Sequence, residues 1–494
     1  MAEAASAADH CIVTSDNPRN EDPCRIIDDV MAGFLQGASV EAIVDRRSAL
    51  ATAFSLAEQA DCVIVAGKGH ERVQVVESQR LPFDDVAVCH ELLVVSYRDL
   101  IDAIDGKTLL GRRHTVGSVG LAEHYRRQFD TLVIGVTGSV GKTTTRRMIH
   151  AALGANFCGI QSPYNYNNHI GLPLSLLQLD GNDEFAVLEL GASRVGEIAD
   201  LADIAQPEMG VLTAIRPAHL DEFGSIENIV RAKSELLEAL PPSGVAVLNG
   251  DDDRVREAAH AARCTVTMVG EREDNDLVAH WIRMENGSLR FCVDENEYEV
   301  PAIGRHHLTA ALAAIAIARE VGMRPNEIAD GLRMFEPAPG RCHLQRIGPW
   351  SIIDDTYNAN PSSVQAACRV LNDWQGARKK ILVLGDMLCL GDESEAFHRE
   401  IGEFAARSGI EQMSAVGSQA AVVTGSAREA GMDAGCLGAC RDLDTAMMLL
   451  DCWIEPGDVI LVKGSRGMRM ERVVEQLREI AARLSTLEPR RHVA

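Results

Sequence analysis

Residues 131–145 place two glycines, a lysine and three consecutive threonines directly after an apolar run, in the order TLVIGVTGSVGKTTT. The backbone N–H groups beside Gly138 and Gly141 can point at an anion, and the Lys142 ammonium can reach terminal phosphates. The hydroxyl of Thr143 can hold Mg²⁺. The candidate phosphate-binding residues are Gly138, Ser139, Val140, Gly141, Lys142, Thr143 and Thr144. This stretch therefore predicts a site for the phosphates of a nucleotide.

Such a loop requires a strand before it and a helix after it. The apolar residues 131–137 predict a buried strand, and a helix is expected from Lys142 onward. The longer G-x-x-x-x-G-K-[ST] pattern is not met, because Val136 stands at its first glycine. The alternative is an ordinary turn that contains Gly and Lys. The flanking elements favour the phosphate loop.

Two polar side chains follow other apolar strands of the same segment. Glu189 lies in FAVLEL, and His219 comes shortly after MGVLTAI. Because an unpaired buried carboxylate is costly, a cation is the natural partner of Glu189, with a salt-bridged core glutamate as the alternative. His219 taken alone is more typical of a polar loop than of a ligand. With Thr143 these residues form a candidate site for a hard metal ion.

Strand and helix patterns alternate in three parts of the chain. We expect an α/β protein with a P-loop doubly wound central domain, then a Rossmann-like C-terminal α/β domain, preceded by a partial α/β segment. Residues 93–130 are too few for an ordinary domain and form a linker or a truncated domain remnant. The expected boundaries are 1–92, 93–130, 131–339 and 340–494.

Composition narrows the function classes. Lys and Arg number 48 and Asp and Glu number 72, for a formal charge of -24, which disfavours a nucleic-acid partner. The N-terminus lacks a signal pattern, and no apolar run approaches the roughly 18 residues that span a bilayer. The 13 cysteines include no C-x-x-C pair, which is typical of reduced thiols. The sequence predicts a cytoplasmic enzyme without membrane insertion.

Several separated motifs resemble the Mur ligase family. They are TGSVGKTT at 137–144, NYNNHIGLPL at 165–174, ELGAS at 189–193, AHLDEFGS at 218–225 and AKSE at 232–235. In the last third, IDDTYNANP at 353–361, LGDM at 384–387 and VKGSRGMRME at 462–471 continue the match. The resemblance covers about residues 131–480 and is closest to the branch that adds D-alanyl-D-alanine to UDP-muramoyl tripeptide.

The resemblance implies roles that residue types alone do not. By charge pattern Lys233 lies on a solvated helix face, whereas the family's lysine at this place is carbamylated and helps to hold a second Mg²⁺. The implied catalytic residues are Lys142, Lys233, His219 and Arg341, and the implied metal ligands are Thr143, Glu189, His219 and Lys233. The implied ATP contacts beyond the phosphate loop are His306, Arg341 and Asp355. The implied substrate contacts are Asn167, Asn168, Ser193, Asn358, Asn360 and Lys463.

The nucleotide-base motif departs from the family pattern. Where the family has G-x-H-N, this sequence has Gly304-Arg-His-His307, so that His306 is kept and His307 replaces an asparagine that contacts the base.

The front segment resembles the end of the C-terminal domain of the diaminopimelate-adding Mur ligases, through SDNPR at 15–19 and AGKGHE at 66–71. The resemblance implies that Arg19 and Glu71 contact diaminopimelate, whereas residue types alone favour solvated turn residues. Only the opening helix of the family's UDP-holding N-terminal domain is matched, in residues 94–120.

The implied function is ATP-dependent joining of D-alanyl-D-alanine to UDP-N-acetylmuramoyl-tripeptide through an acyl phosphate, with two Mg²⁺ ions. Two alternatives stay open. One is a folylpolyglutamate-synthase-like ligase, which would share the phosphate loop and the carbamylated lysine. The other is a non-catalytic nucleotide-binding scaffold that tethers other peptidoglycan synthesis enzymes.

Overall fold

The structure is a computed structural model, and it describes residues 9–15, 21–35, 37–57, 63, 65, 73–76, 79–82, 88–89, 122–123, 125–217, 220–285 and 287–487. The chain divides into two compact units, Met1–Leu121 and Ala122–Ala494. Within the described ranges, no helix has both the length and the apolar character needed to cross a membrane.

The first unit contains short α/β elements. They are β1 (Cys11–Val13), α1 (Pro23–Met31), β2 (Val40–Ala42), α2 (Arg46–Leu56), β3 (Val73–Val76) and β4 (Gln79–Pro82). β1 pairs with β2 in parallel, and β3 pairs with β4 antiparallel. The side chains of Asp22 and Asp45 cap the first turns of α1 and α2, which explains where both helices begin.

The second unit begins with a nine-stranded sheet and its helices. Its strands are β5 (Leu132–Thr137), β6 (Gly159–Gln161), β7 (Phe185–Glu189), β8 (Met209–Leu212), β9 (Val245–Asn249), β10 (Thr265–Gly270), β11 (Leu277–Glu285), β12 (Ser288–Val293) and β13 (Asn296–Val300). Its helices are α3 (Lys142–Leu153), α4 (Gly171–Leu176), α5 (Glu197–Ala205), α6 (Leu220–Phe223), α7 (Ile226–Ala239), α8 (Asp253–Ala258), α9 (Leu308–Glu320) and α10 (Pro325–Arg333).

The strand order is β13-β12-β11-β10-β9-β8-β5-β7-β6. The strands from β6 to β11 pair in parallel, and β11, β12 and β13 pair antiparallel. Since β5 lies between β7 and β8, the chain leaves it at a point where the strand order changes direction. Open parallel sheets bind ligands at such a point, beyond the carboxyl ends of the strands.

The core of this sheet is closed by α9, an alanine-rich helix that is buried over most of its length and packs against α3. Small side chains let the two helices approach closely. The helix of the phosphate loop is therefore held from both sides, by the sheet and by α9.

A second sheet follows, in the order β14-β15-β19-β16-β17-β18. Its strands are β14 (His343–Ile347), β15 (Trp350–Asp355), β16 (Lys380–Gly385), β17 (Gln412–Val416), β18 (Leu437–Cys440) and β19 (Val459–Lys463). Its helices are α11 (Pro361–Asp373), α12 (Ser394–Ala406), α13 (Ala420–Glu429), α14 (Leu443–Trp453) and α15 (Glu471–Leu487). Only β14, at the edge, runs antiparallel to its neighbour. The expected α/β fold class is confirmed.

Candidate active site

The loop between β5 and α3 has the geometry of an anion cradle. Gly138 and Gly141 have φ angles of 144° and 85°, which favour glycine. A Cβ on Gly138 would collide with Thr213 Oγ1. That hydroxyl donates its proton to Val140 O at 2.6 Å, and Thr137 O lies 3.2 Å from the same oxygen. Thr213, which directly follows β8, therefore holds the loop in place.

Ser139 fixes the same loop to the chain beyond β8. Its backbone N–H donates to Ala214 O at 2.8 Å, and its hydroxyl donates to Arg216 O at 2.9 Å. Arg216 in turn forms an ion pair with buried Asp252. The loop is thus positioned before any ligand arrives.

Lys142 folds back onto this loop. Its Nζ donates to Gly138 O at 2.7 Å. Burial lowers the pKa of Lys142, the negative charge of Glu189 opposes the shift, and the positive charge of Arg341 adds to it. Lys142, Glu189 and Arg341 are therefore electrostatic neighbours. Thr143 and Thr144 follow on the first turn of α3 and are half-buried.

Glu189 ends β7 with a side chain that is 1% exposed. Within the described residues its Oε1 has no hydrogen-bond partner, and Arg146 NH1 lies 3.7 Å away. The guanidinium of Arg146 instead donates to Gln161 Oε1 at 3.1 Å and to Tyr164 O at 2.8 Å. Both sequence alternatives for Glu189 thus have support: a cationic neighbour is present, and one oxygen is left to accept a further cation.

Lys233 lies on α7 with only 2% of its surface exposed. Burial and, to a smaller extent, the charge of Lys142 lower its pKa to about 7, and the charge of Glu235 opposes this shift. Its Nζ lies 5.6 Å from the centre of the Phe223 ring. The charge pattern predicted a solvated face here, and that interpretation is wrong for Lys233 and Glu235, because both are buried. Glu235 accepts hydrogen bonds from the N–H groups of Gly196 and Ala199 at the start of α5.

Arg341 enters this region from the start of the second sheet. Its guanidinium carbon lies 3.9 Å from the centre of the Tyr357 ring. Burial lowers the pKa of Arg146, and the positive charge of Arg341 adds to that shift, as it does for Lys142. A cation stacked on a ring is held in orientation while its N–H groups stay available to an anion.

The end of β15 and the loop after it carry three of the expected nucleotide and substrate residues, Asp355, Asn358 and Asn360. Lys463 Nζ donates to Asp355 Oδ2 at 2.6 Å and to Asn358 O at 2.9 Å. Asn360 caps α11, since its Oδ1 accepts from Ser363 N at 2.9 Å. The structure thus brings these residues together at the carboxyl ends of β15 and β19.

The remaining expected residues lie around the end of β7 and before α9. Asn168 Oδ1 caps α4 by accepting from Gly171 N at 2.9 Å. Asn167 O accepts from Gly191 N at 2.7 Å, and Ser193 N donates to Glu197 Oε2 at 2.7 Å. His306 lies in a 3₁₀ turn, Arg305–His307, directly before α9. Arg19, Glu71 and His219 lie outside the described residues.

Two positioning residues were not identified from the sequence. Arg146 is four residues after Lys142, a spacing that places both on one face of a helix. Thr213 directly follows β8, at the same sheet edge as the loop. The spacing from Lys142 could have identified Arg146. The position directly after a parallel strand could have identified Thr213.

Comparison with known proteins identifies the family of this chain. The family description "Mur ligase middle domain" matches residues 136–318, and "Mur ligase, glutamate ligase domain" matches residues 1–69 and 340–466. The chain is 36% identical over 362 residues to the UDP-N-acetylmuramoyl-tripeptide--D-alanyl-D-alanine ligase of Bacillus subtilis (strain 168), covering 73% of this chain and 78% of that protein. The chain belongs to the Mur ligase family.

Solved structures of Mur ligases are similar to this chain over most of its length. A crystal structure of MurF from Acinetobacter baumannii has a TM-score of 0.68 at 28% identity and covers 96% of this chain and 92% of that chain. The MurF ligase of Thermotoga maritima in complex with ADP has a TM-score of 0.67 at 24% identity, with 97% of each chain covered, and shows the same fold. The resemblance noted in the sequence motifs is confirmed.

Proposed function

We propose that this Mur ligase joins D-alanyl-D-alanine to UDP-N-acetylmuramoyl-tripeptide at the expense of ATP, as an enzyme of peptidoglycan precursor synthesis in the cytoplasm. The observation that carries the proposal is the convergence of Lys142, Arg341 and buried Glu189 at one phosphate loop. Relatives such as the Bacillus subtilis ligase are named for this reaction.

The chemistry needs an activated carboxylate, because oxide is a poor leaving group. The tripeptide carboxylate attacks the γ-phosphorus of ATP, which gives an acyl phosphate and ADP. The amine of D-alanyl-D-alanine then attacks the acyl carbon, and phosphate leaves as the amide forms. The protein contributes positioning and charge neutralisation in such a reaction.

Lys142 and Arg341 are suited to the negative charge of the transferred phosphoryl group. When nucleotide binds, the Lys142 ammonium can exchange Gly138 O for phosphate oxygens, since both are acceptors within reach of one flexible side chain. Arg341 approaches from the second sheet and remains oriented by Tyr357. We propose that His306 and Asp355 contact the nucleoside part of ATP.

The donor set at the loop suits Mg²⁺. Thr143 offers a hydroxyl and Glu189 a buried carboxylate oxygen that lacks a hydrogen-bond partner in the described part of the chain. His219 would complete the set. Bound Mg²⁺ would neutralise phosphate charge.

Lys233 is proposed to carry a carbamate that helps to hold a second Mg²⁺. A pKa of about 7 leaves much of this amine neutral at neutral pH, and the neutral amine is the form that reacts with CO₂. Carbamylation would convert a buried cation into an anion beside Lys142, which relieves the repulsion between the two lysines.

The residues that would contact the two peptides lie on several segments of the chain. Asn167, Asn168 and Ser193 would contact the tripeptide, with Arg19 and Glu71 as further candidates. Asn358, Asn360 and Lys463 would border the incoming dipeptide. We propose the boundaries 1–92, 93–130, 131–339 and 340–494 for the front segment, the linker, the ATP-binding domain and the C-terminal domain.

A phosphate-release assay tests the function. UDP-N-acetylmuramoyl-tripeptide, Mg-ATP and D-alanyl-D-alanine are supplied together and with each omitted in turn, and the ligated product is followed by mass spectrometry. We expect phosphate release and a pentapeptide product only in the complete mixture. Turnover with folate and glutamate instead would favour the folylpolyglutamate-type ligase. Nucleotide binding without turnover on either set would favour the scaffold.

A further inference from the structure

Two histidines and a cysteine meet where the central domain joins the second sheet. His306 and His307 end the 3₁₀ turn before α9, and Cys342 precedes β14. One potential ligand atom from each of the three residues lies within 4.8 Å of the other two. Among the described residues, no other group of three His, Cys, Asp or Glu side chains has such spacing. The function proposed above gives no role to His307 or Cys342, and it uses His306 for a nucleoside contact that one ring nitrogen can make while the other binds a metal ion.

His307 supplies a second and independent observation. The residue is 4% exposed, and within the described ranges its Nε2 has no hydrogen-bond partner. Because a buried polar atom without a partner costs free energy, such an atom in a native structure calls for a ligand or a water. A neutral imidazole has one ring nitrogen without a proton, and its lone pair can bind a metal ion.

The rings and the thiol are arranged around a common space. The centroids of the two imidazole rings lie 4.1 Å apart. Gly304 lets the His306 ring lie against the backbone, because a Cβ at that glycine would stand within 2.7 Å of Val370 Cγ2 and closer still to His306. Cys342 is 3% exposed, and its thiol approaches Ile303 O at 3.5 Å. His306 is exposed, which leaves an entry path from solvent.

The donor chemistry selects the metal. Two imidazoles and a thiolate are borderline and soft ligands, which suit Zn²⁺ and exclude Mg²⁺ as a preferred occupant. Tetrahedral Zn–N and Zn–S bonds place ligand atoms about 3.5 Å apart, so the observed group needs to close by roughly 1 Å. Three protein ligands leave a fourth position for water or another ligand.

We propose that His306, His307 and Cys342 form a Zn²⁺ site that is separate from the magnesium-binding phosphate loop. The thiol proton is released to solvent as the Zn–S bond forms, with no change in oxidation state. Cys342 directly follows Arg341, and its backbone N–H donates to Asp355 Oδ1 at 3.1 Å. Bound Zn²⁺ therefore ties the turn before α9 to the segment that carries two nucleotide-binding candidates.

Cobalt is the probe for this site, because Co²⁺ adopts the same geometry and binds more weakly than Zn²⁺. The full-length protein is stripped with a chelator and titrated with Co²⁺. We expect one equivalent to produce a thiolate-to-cobalt charge-transfer band and the visible bands of tetrahedral cobalt, and one equivalent of Zn²⁺ to remove both. Zn²⁺ should also raise the Tm of the stripped protein.

Variants decide whether these residues are the ligands. Cys342→Ser should abolish the charge-transfer band and the Zn²⁺-dependent Tm shift, and His307→Asn should weaken Co²⁺ binding at least about tenfold. Cys389→Ser changes an exposed thiol on another loop and should leave both signals intact. A wild-type protein without the one-equivalent band, or a band that persists in Cys342→Ser, overturns the proposal. Should Cys342→Ser fail to fold, unchanged cobalt affinity in His307→Asn overturns it equally.

Discussion

Lys463 Nζ lies 2.6 Å from Asp355 Oδ2, and the two residues are direct partners in the register of β15 and β19. The lysine is 2% exposed and also donates to Asn358 O at 2.9 Å. Its charge is thus engaged in holding the strand end and the loop after it. In this structure Lys463 positions Asp355 and Asn358, which are themselves candidates for ligand contact.

Replacing Lys463 by Met should therefore lower stability and nucleotide affinity together. The change leaves the Asp355 carboxylate without its cation in a site where it is 14% exposed. We expect the free energy of unfolding to fall by about 3 kcal/mol. Urea denaturation measures this loss, and the KM for ATP should rise in parallel.

A double-mutant cycle separates the pair from simple packing. Adding Asp355→Asn to Lys463→Met removes the unpaired charge, so the double variant should lose less stability than the sum of the single variants. Strict additivity of the two losses would show that the ion pair is not the stabilising interaction.

The apolar residues of β15 and β19 are evident in the sequence, but the pairing between the two strands is not. β15 and β19 are each clear apolar runs, and their neighbouring position depends on strand order over an interval of 108 residues. Local periodicity carries no information about that order. The antiparallel pairs of β11, β12 and β13 were also not predicted, although these strands follow one another along the chain with short connections.

The candidate site likewise contains residues that local sequence predicts and residues that it does not. Gly138 and Lys142 were identified from the glycine-spaced loop between a strand and a helix, and Glu189 from the cost of an unpaired carboxylate in an apolar run. The burial of Lys233 and Glu235 was not predictable from charge pattern. It depends on the N-terminus of α5, whose N–H groups donate hydrogen bonds to Glu235. Tertiary partners, absent from the local sequence, decide which charged face of a helix is solvated.

Glu189→Gln tests the proposed magnesium ligand. The amide has nearly the same shape but no charge, so we expect the fold to persist and the Mg²⁺ concentration for half-maximal activity to rise about tenfold or more. Glu184→Gln is the matched control, because Glu184 directly precedes the same strand at its other end and accepts from Cys158 N. A magnesium dependence unchanged in Glu189→Gln would remove this residue from the metal site.

Lys142→Ala should reduce the turnover rate by about 100-fold or more, since the lysine is proposed to stabilise charge that develops on the transferred phosphoryl group. Steady-state phosphate release measures the loss. Lys380→Ala is the control, because that lysine is engaged with Asn372 O away from the loop. Full activity in Lys142→Ala would contradict the proposed mechanism.

Carbamylation of Lys233 predicts a specific spectroscopic signal. In ¹³C-bicarbonate the wild-type protein should show a carbamate carbon resonance that exchanges away in unlabelled buffer. Lys233→Met should lack it, and so should Lys233→Arg, because a guanidinium offers no neutral amine at ordinary pH. A resonance that survives in both variants would place the modified amine elsewhere.

The depressed pKa of Lys233 also predicts how stability changes with pH in buffer depleted of CO₂. The folded-state pKa is about 7 against an ordinary value of 10.5. Between these values the unfolded chain binds a proton that the native protein lacks, so wild-type stability should rise with pH, with a slope of up to about 1.4 kcal/mol per unit. Below pH 7 the lysine is protonated in both states and the buried charge is fully destabilising.

Lys233→Met removes the titrating group, so the difference in unfolding free energy, wild type minus variant, should increase from pH 7 to pH 10. A difference that stays flat over this interval would mean that Lys233 keeps its proton when buried, which would also remove the neutral amine that carbamylation requires.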